Sequence, residues 1–225
     1  MLKHLKEKYG YCKFREYQKE IIEDILEGRD TIVLFPTGGG KSICYQFPAT
    51  YLNKKSIVVS PLISLMTDQQ KHLEQRGIKC ICLNGENKVS HGRSLLKVSE
   101  PRVSSEISEA QVIYCTPEFL TCNIGLFKNI PDICLFAVDE AHCVSEWGND
   151  FRTSYRDLRI IKQTWKNIPV VALTATATPS VLDDIFQVLE LDDANEYHLG
   201  TLRQNLSISV KEKSNDILGD LDIVH

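Results

Sequence analysis

The chain has 225 residues, of which 43% are hydrophobic and 25% are charged, a composition typical of globular proteins rather than disordered or fibrous ones. No apolar run reaches the roughly 18 residues that a membrane span requires, so we expect no membrane partner. The net charge of −4 argues against coating nucleic acid through bulk positive charge, although it allows a local groove with a few phosphate contacts.

Eight cysteines are present, and none of them form the Cys-x-x-Cys pair from which many zinc sites are built. Cys115 and Cys134 lie within apolar runs, where a free cysteine behaves as a small buried hydrophobe. The lysines near the N-terminus are not followed by the apolar segment of a secretory signal. We therefore expect no zinc and an intracellular location, the nucleus in a eukaryote or otherwise the cytoplasm.

Short apolar runs alternate with amphipathic stretches along the chain. The apolar runs are rich in β-branched residues, which is typical of strands that are covered on both faces. Strands that alternate with helices predict right-handed crossovers and an α/β fold with a mostly parallel central sheet and helices on both faces. The predicted strands are residues 31–35, 56–60, 78–83, 112–115, 133–138 and 170–174. The predicted helices are residues 17–26, 41–51, 62–76, 155–165 and 180–189.

Two segments depart from this alternation. Residues 85–108 are polar and rich in serine, and we expect them to form a surface excursion with a short helix at most. Residues 206–210 form a last strand-like run, and the apolar residues between 211 and 225 are consistent with the start of another helix.

A glycine-rich segment follows the first predicted strand and precedes a helix, which is the context of a phosphate-binding loop. Glycines let backbone amides approach phosphate oxygens, and the helix N-terminus adds a partial positive charge. Lys41 can reach the β and γ phosphates of ATP, and Ser42 can bind Mg²⁺. Phe35 stands where the general pattern has its first glycine, and the alternative is a simple turn with a solvated lysine. The segment comprises Thr37, Gly38, Gly39, Gly40, Lys41 and Ser42.

A pair of carboxylates follows the apolar run at residues 133–138. At the carboxyl end of a buried strand, such side chains point into the crevice where open α/β sheets bind ligands. Asp139 can hold Mg²⁺, partly through water, and Glu140 can orient and deprotonate the attacking water. His142 is placed to couple this site to its surroundings. The alternative for an Asp-Glu pair is a solvated helix cap.

The threonines in residues 173–178, Leu-Thr-Ala-Thr-Ala-Thr, lie at the end of another predicted strand. Small hydroxyl side chains at that position can connect the nucleotide site to another surface by hydrogen bonds. Packing of small residues explains the same pattern equally well, so both interpretations stay open.

These three elements in this order resemble superfamily 2 helicases, and longer motifs resemble the RecQ family of DNA helicases. The motifs are residues 35–46, 59–69, 139–152 and 173–179, and the similarity extends from about residue 5 to 210. The resemblance implies a RecA-like three-layer sandwich over residues 1–210. It also implies the ATP-binding lobe of a 3′-to-5′ DNA helicase, which couples ATP hydrolysis to translocation on single-stranded DNA and to duplex unwinding.

The resemblance implies further contacts. Residues 9–18 resemble the adenine-recognition motif of the family, in which glutamine pairs with the base edge while tyrosine and arginine stack on its face. The residues that match are Tyr11, Arg15 and Gln18. Without the resemblance, Gln18 would be an ordinary residue on the surface of a helix.

The segment after the carboxylates resembles the aromatic-rich loop of the family. Trp147, Phe151 and Arg152 therefore imply contacts with single-stranded or forked DNA, on which exposed aromatics stack without sequence preference. The alternative is a pair of core aromatics. Ser60, Pro61 and Thr116 resemble motifs that follow the DNA backbone, where phosphate contacts position the strand.

The sequence departs from the family in several places. Asn149 stands where most members carry histidine, Glu16 and Tyr17 replace a usual Pro-Gly, and residues 202–206 only approximate the usual Arg-Pro-Asn-Leu. Because Asn149 lies in the loop that couples DNA to ATP hydrolysis, coupling is expected to differ.

The second RecA-like lobe of the family, with the arginine that reaches the γ-phosphate, has no counterpart in the sequence. We expect a piece of a longer protein in which residues 211–225 begin the linker or the second lobe, the partner in cis. We also expect the chain alone to bind ATP-Mg²⁺ weakly and not to unwind DNA. Two alternatives remain: an RNA helicase lobe of the same superfamily, and a non-catalytic nucleotide-binding or docking module.

Overall fold

The computed structural model describes residues 1–84, 88–91, 94–97, 101–147 and 151–200. The predicted strand at 206–210, the segment 211–225 and Asn149 lie outside the described residues. Within them, no helix is long and apolar enough to cross a membrane.

The strands are β1 (Thr31–Leu34), β2 (Lys55–Val59), β3 (Cys80–Asn84), β4 (Lys88–His91), β5 (Ser94–Lys97), β6 (Val112–Cys115), β7 (Ile133–Val138), β8 (Val170–Thr174) and β9 (Asn195–His198). The helices are α1 (Leu2–Tyr9), α2 (Gln18–Leu26), α3 (Lys41–Leu52), α4 (Ile63–Glu74), α5 (Pro101–Glu109), α6 (Pro117–Cys122), α7 (Ile124–Lys128), α8 (Thr153–Arg156), α9 (Ile160–Thr164) and α10 (Pro179–Leu189).

One sheet of nine strands has the order β5-β4-β3-β6-β2-β7-β8-β1-β9. Seven neighbouring strands, β3-β6-β2-β7-β8-β1-β9, pair in parallel. Strands β4 and β5 add an antiparallel hairpin beside β3. The predicted α/β fold with a mostly parallel sheet is therefore confirmed. Because parallel strands share one direction, the carboxyl ends of β1, β2, β7 and β8 lie at the same edge of the sheet.

Helices cover both faces of the sheet, and a separate apolar cluster lies on each face. Alternate residues of β2 show the division, since Ile57 and Val59 belong to one cluster and Val58 to the other. Helices α1 to α4 contribute to the Val58 cluster, and α5 to α10 to the opposite one. Burial on both faces explains why the predicted strands are almost wholly apolar.

The prediction for residues 85–108 was wrong in one respect. Instead of leaving the fold as a surface excursion, this segment extends the sheet by two strands and then forms the nine-residue helix α5. An antiparallel hairpin at the edge of a sheet is held by backbone hydrogen bonds and tolerates polar side chains. Its strands therefore need no apolar run that a sequence pattern would detect.

The single helix predicted for residues 155–165 is also wrong. The structure has α8, a 3-10 turn over Asp157–Arg159 and then α9. The buried side chains of Tyr155, Leu158 and Ile161 are three residues apart, and this is the period of a 3-10 helix rather than of an α-helix.

Candidate nucleotide-binding site

A cleft of about 550 Å³ lies at the carboxyl edge of the sheet. It brings together residues from four separate parts of the chain: the segment that leads into α2, the loop after β1 with the start of α3, helix α4, and the end of β7. The side chains and loop residues predicted for ATP that line this cleft are Tyr11, Arg15, Gln18, Thr37, Gly38, Gly40, Lys41, Ser42, Asp139 and Glu140.

The glycine-rich loop joins β1 to α3, as the sequence predicts. Gly38 and Gly40 have φ values of 81° and 88°, a left-handed conformation that side chains rarely adopt. Between them, the amide of Gly39 donates to Pro36 O over 2.9 Å. Phe35 is fully buried in the core and its amide donates to Thr174 O, which explains why an apolar residue occupies the place of the usual first glycine.

Lys41 is the first residue of α3, and its ammonium donates to Phe35 O over 2.9 Å. This contact keeps the side chain folded back along its own loop. A lysine in that position can move to phosphate oxygens by exchanging one carbonyl acceptor for stronger anionic ones.

The segment that leads into α2 and the first residue of that helix contact the glycine-rich loop directly. The guanidinium of Arg15 donates to Gly38 O over 2.6 Å, and the side-chain Nε2 of Gln18 donates to Gly40 O over 3.0 Å. The Arg15 amide in turn donates to Gln18 Oε1 over 2.8 Å. Gln18 is only 5% exposed, so it is not the helix-surface residue that its position alone would suggest. Tyr11 remains half exposed at the rim of the cleft.

Asp139 and Glu140 follow β7 and line the same cleft as Lys41. Asp139 is 7% exposed, and burial together with the adjacent charge of Glu140 raises its pKa to about 6. The Glu140 amide, which donates to Asp139 Oδ1, and the charge of Lys41 act in the opposite direction. Ionisation of Asp139 is therefore less favourable than that of an exposed aspartate, and a bound cation would offset this cost.

His142 lies between the carboxylates and the end of β8. Its Nδ1 is 2.9 Å from Thr174 Oγ1 and 3.4 Å from Glu140 Oε2. Thr174 Oγ1 also donates to Thr176 O over 3.0 Å. A chain of polar contacts therefore runs from Glu140 to the threonine-rich end of β8, which is the arrangement that the hydrogen-bonding interpretation of residues 173–178 requires.

The aromatic residues implied for DNA lie beside this edge of the sheet. Trp147 is 79% exposed and Phe151 is 36% exposed, so neither is a core aromatic. The guanidinium of Arg152 is 3.4 Å from Pro61 O, and the Arg156 guanidinium lies 5.3 Å from the centre of the Phe151 ring. Exposed aromatic rings, one of them beside a guanidinium, are suited to stacking on unpaired bases.

Two of the side chains implied for the DNA backbone are not on the surface. Ser60 and Thr116 lie at the ends of the adjacent strands β2 and β6, and both are buried. Thr116 Oγ1 accepts from the Phe119 amide as the cap of α6. Of these three positions, Pro61 is the partly exposed one, whereas Ser60 and Thr116 have little surface that a DNA strand could contact.

Sequence reasoning missed several residues that line or support the cleft. Gln46 lines it from α3 and donates both to Gln69 Oε1 and to the Tyr114 hydroxyl, each over 3.0 Å. Tyr155 was expected only as the start of a helix, yet its hydroxyl donates to Asp139 O over 2.8 Å. Gln46 and Gln69 do fall within the motifs quoted above, whereas nothing in the local sequence marks Tyr155.

The residues present fit a magnesium ion. Ser42 and Asp139 supply a hydroxyl and a carboxylate, the hard oxygen donors that Mg²⁺ prefers, and the ion usually takes its other ligands from phosphates and water. No group of three or more His, Cys, Asp or Glu side chains that could hold a metal occurs in the described part of the chain. A magnesium site of one or two protein ligands does not need such a group.

Residues 15–185 match the family described as DEAD/DEAH box helicase, and this range contains the glycine-rich loop, the carboxylate pair and Thr174. The chain belongs to the DEAD/DEAH box helicase family. Asp139-Glu140-Ala141-His142 is the box itself, in its Asp-Glu-Ala-His form.

Several relatives confirm the resemblance to RecQ helicases. The chain is 43% identical over 211 residues to the ATP-dependent DNA helicase RecQ of Bacillus subtilis (strain 168), which covers 92% of this chain and 34% of the relative. It is 41% identical over 221 residues to the bifunctional 3′-5′ exonuclease/ATP-dependent helicase WRN of Mus musculus, and this match covers 96% of this chain and 15% of the relative. The putative ATP-dependent RNA helicase R290 of Acanthamoeba polyphaga mimivirus is 40% identical over 224 residues, with 97% and 39% covered. The chain is thus similar over nearly its whole length to helicases that include RecQ, and it spans 15–39% of the length of these relatives.

Solved structures of helicases confirm the RecA-like fold. The hypothetical ATP-dependent RNA helicase from Sulfolobus tokodaii aligns with a TM-score of 0.63 at 22% identity, covering 88% of this chain and 57% of that one. The Pyrococcus furiosus Hef helicase domain aligns with a TM-score of 0.60 at 19% identity, covering 85% and 39%. At these identities the likeness concerns the fold alone.

Proposed function

We propose that this chain is the ATP-binding lobe of a 3′-to-5′ DNA helicase that couples ATP hydrolysis to translocation along single-stranded DNA and to duplex unwinding. The observation that carries the proposal is the cleft in which Arg15, Gln18, the glycine-rich loop and the carboxylate pair meet. The exposed Trp147 follows the carboxylate pair closely in the sequence. A second RecA-like lobe in cis and single-stranded or forked DNA are the partners that this proposal requires.

ATP fits the cleft with its phosphates at the start of α3. The backbone amides of the glycine-rich loop bind phosphate oxygens, and Lys41 exchanges Phe35 O for the β and γ phosphates. Gln18, Arg15 and Tyr11 line the same cleft, and the adenine base would lie against these three side chains. Ser42 and Asp139 would hold Mg²⁺, which neutralises phosphate charge and lowers the cost of ionising the buried Asp139.

Glu140 is the base of the proposed reaction. A water oxygen attacks the γ-phosphorus, the bond to the bridging oxygen of ADP breaks, and a water proton passes to the Glu140 carboxylate. The Nδ1 atom of His142 lies 3.4 Å from Glu140 Oε2 and contacts Thr174, so His142 can orient the base.

DNA would bind along the surface beside the carboxylates. Trp147 and Phe151 stack on unpaired bases while Arg152 contacts the phosphate backbone, which gives binding without sequence preference. Arg152 also ties this segment to Pro61 at the end of β2 and, through its amide, to Cys143 O close to the carboxylates. A strand bound there would therefore touch the same backbone that positions Glu140.

We also propose an intracellular location, the nucleus in a eukaryote or otherwise the cytoplasm. All eight cysteines are free, and this is usual in a reducing compartment.

Nucleotide binding tests the first half of the proposal. We expect the chain to bind a fluorescent ATP analogue with Mg²⁺ weakly, and Lys41→Ala to lower its affinity by about tenfold or more, because a charge-assisted contact to phosphate is lost. Lys128→Ala, which removes an exposed lysine from α7, is the matched control and leaves the affinity unchanged. Equal binding by Lys41→Ala and the wild type would exclude the proposed site.

Oligonucleotide binding tests the second half. Trp147→Ala is expected to weaken binding of a fluorescent oligo-dT by roughly tenfold, since stacking contributes about 1–3 kcal/mol per base. Tyr51→Ala, at another exposed aromatic on α3, controls for loss of aromatic surface and leaves binding unchanged. Unaltered binding by Trp147→Ala would contradict the proposed DNA surface.

An RNA helicase lobe is the second candidate, because one relative of 40% identity is named an RNA helicase. Parallel measurements with oligo-dT and oligo-U distinguish the two. Stronger binding and stronger stimulation of ATP hydrolysis by oligo-dT support the DNA assignment, whereas a preference for oligo-U favours the RNA assignment.

A further inference from the structure

The peptide that joins Asp139 to Glu140 is held from both sides. Its carbonyl oxygen accepts a hydrogen bond from the Tyr155 hydroxyl over 2.8 Å, and its N–H, on Glu140, donates to Asp139 Oδ1 over 3.1 Å. The preceding amide, on Asp139, donates to Val59 O over 2.9 Å. The orientation of this one peptide plane therefore fixes how the backbone leaves β7 and enters the carboxylate site.

Glu140 itself is in a strained conformation. Its φ of 51° and ψ of 44° lie in the left-handed region, which costs an L residue other than glycine roughly 1–2 kcal/mol. A flip of the preceding peptide changes φ of Glu140 by about 180°, to roughly −130°, within the negative range of φ that L residues favour. The backbone thus has a local way to relieve its strain, and that flip would turn the Asp139 carbonyl away from Tyr155 and displace Glu140.

Tyr155 is a rigid anchor against this flip. Its side chain is fully buried in the apolar cluster that contains Ala141, Cys143 and Val144, the residues directly after the carboxylates. Its amide donates to Arg152 O over 3.0 Å, which sets the start of α8. Because the ring is enclosed, its hydroxyl is the polar atom by which it acts, and phenylalanine would fill the same space without that contact.

We propose that Tyr155 is a positioning residue for Glu140: its hydroxyl holds the Asp139 carbonyl and so keeps the carboxylate base in its strained, productive orientation. Tyr155 does not contact the nucleotide cleft, and it acts only through the backbone. This inference rests on the proposed role of Glu140 in ATP hydrolysis.

The variant Tyr155→Phe tests the proposal in the full 225-residue chain. Binding of fluorescent ADP with Mg²⁺ should stay within about twofold of wild type, because the glycine-rich loop, Arg15 and Gln18 are untouched. The rate of ATP hydrolysis with protein in excess should fall by roughly 10- to 100-fold, since a small displacement of a catalytic group is that costly.

Tyr197→Phe is the matched control. It also removes one tyrosine hydroxyl, which donates to Asp24 over 2.6 Å at the junction of α2 and β9, away from the cleft. We expect this control to lose stability to heat yet to retain its hydrolysis rate. If Tyr155→Phe retains its rate, or loses binding and rate in proportion to its lost stability, Tyr155 is only a structural residue and the proposal is overturned.

Hydrogen exchange separates this proposal from the proposed function. If the wild-type chain binds nucleotide but hydrolyses it too slowly to measure without a second lobe, the claim about the backbone stays testable without a hydrolysis rate. Faster amide exchange confined to residues 139–143 in Tyr155→Phe would then support the hold on the peptide. Exchange equal to wild type in that segment would overturn it.

Discussion

Gly40 lies in the most confined place of the glycine-rich loop. A Cβ added there would come within 2.4 Å of Gln18 Nε2, and the φ of 88° already disfavours any side chain. Gly38 has a similar φ of 81°, but a Cβ at that position would meet nothing within 4 Å. The two glycines therefore separate the cost of backbone strain from the cost of displacing Gln18.

We expect Gly40→Ala to abolish measurable ATP binding, because the loop and Gln18 must move apart. Gly38→Ala should cost only the strain of about 1–2 kcal/mol and lower affinity by roughly 30-fold at most. Titration of both variants with a fluorescent ATP analogue checks the difference, and thermal melting shows whether each remains folded. Equal losses in the two variants would mean that the contact between Gly40 and Gln18 has no role in binding.

Residues of the site differ in how far the sequence predicts them. Lys41 and Ser42 follow from a contiguous pattern of strand, glycines and helix, in which local spacing sets the geometry. Gln18 required the family resemblance, because nothing local shows that a polar residue at the start of a helix will be buried against a distant loop. Tyr155 escaped both routes, since its partner is a backbone carbonyl and no side-chain pattern records such a contact.

At the scale of elements, the junction of α2 and β9 depends on one buried carboxylate. Asp24 accepts hydrogen bonds from Asn195 and Tyr197 of β9, both over 2.6 Å, and from Arg29 after α2. Burial acts to raise the pKa of Asp24, but these hydrogen bonds outweigh it and leave the pKa below its usual value. The ionised form of Asp24 therefore stabilises the attachment of the edge strand.

The lowered pKa fixes the sign of a pH dependence. A carboxylate of lowered pKa contributes stability above its unfolded pKa of about 3.9, and that contribution is lost as the pH falls through the folded value. We expect Asp24→Asn to lose about 2 kcal/mol in the free energy of unfolding at pH 7, measured by urea titration. The difference from wild type should shrink as the pH is lowered below about 4.

Asp68→Asn is the control for this prediction. Asp68 pairs with Lys71 on the exposed face of α4, where an ion pair contributes only about 0–1 kcal/mol. A loss in Asp24→Asn that is the same at pH 7 and at pH 3 would contradict the role given to ionised Asp24.

Burial also decides which elements the sequence predicts. The central strands are covered on both faces, so β-branched apolar runs mark them clearly. β9 was missed because it is a polar edge strand whose side chains are mostly exposed, and its attachment depends on Asp24, about 170 positions earlier. The short helices α6 and α7 have too few turns to show an amphipathic period, which also explains their absence from the predictions.

At the scale of the molecule, the cleft lies at one edge of a sheet that is closed on both faces by helices. The proposed chemistry places ATP at this edge, where a second protein surface could contact it. In the helicase mechanism proposed above, that is a second RecA-like lobe, whose arginine contributes roughly 10³–10⁵ in rate. Translocation further requires two lobes that open and close around ATP.

We therefore expect the 225-residue chain alone to hydrolyse ATP slowly and not to separate a fluorescently labelled forked duplex, even where it binds both ATP and the single-stranded arm. The decisive measurement is strand separation at saturating ATP and Mg²⁺, with ATP hydrolysis followed in the same reaction. A version of the chain extended by a second RecA-like lobe provides the positive control and should both hydrolyse faster and unwind. Unwinding by the chain alone, abolished by Lys41→Ala, would show that one lobe suffices and would refute the two-lobe requirement.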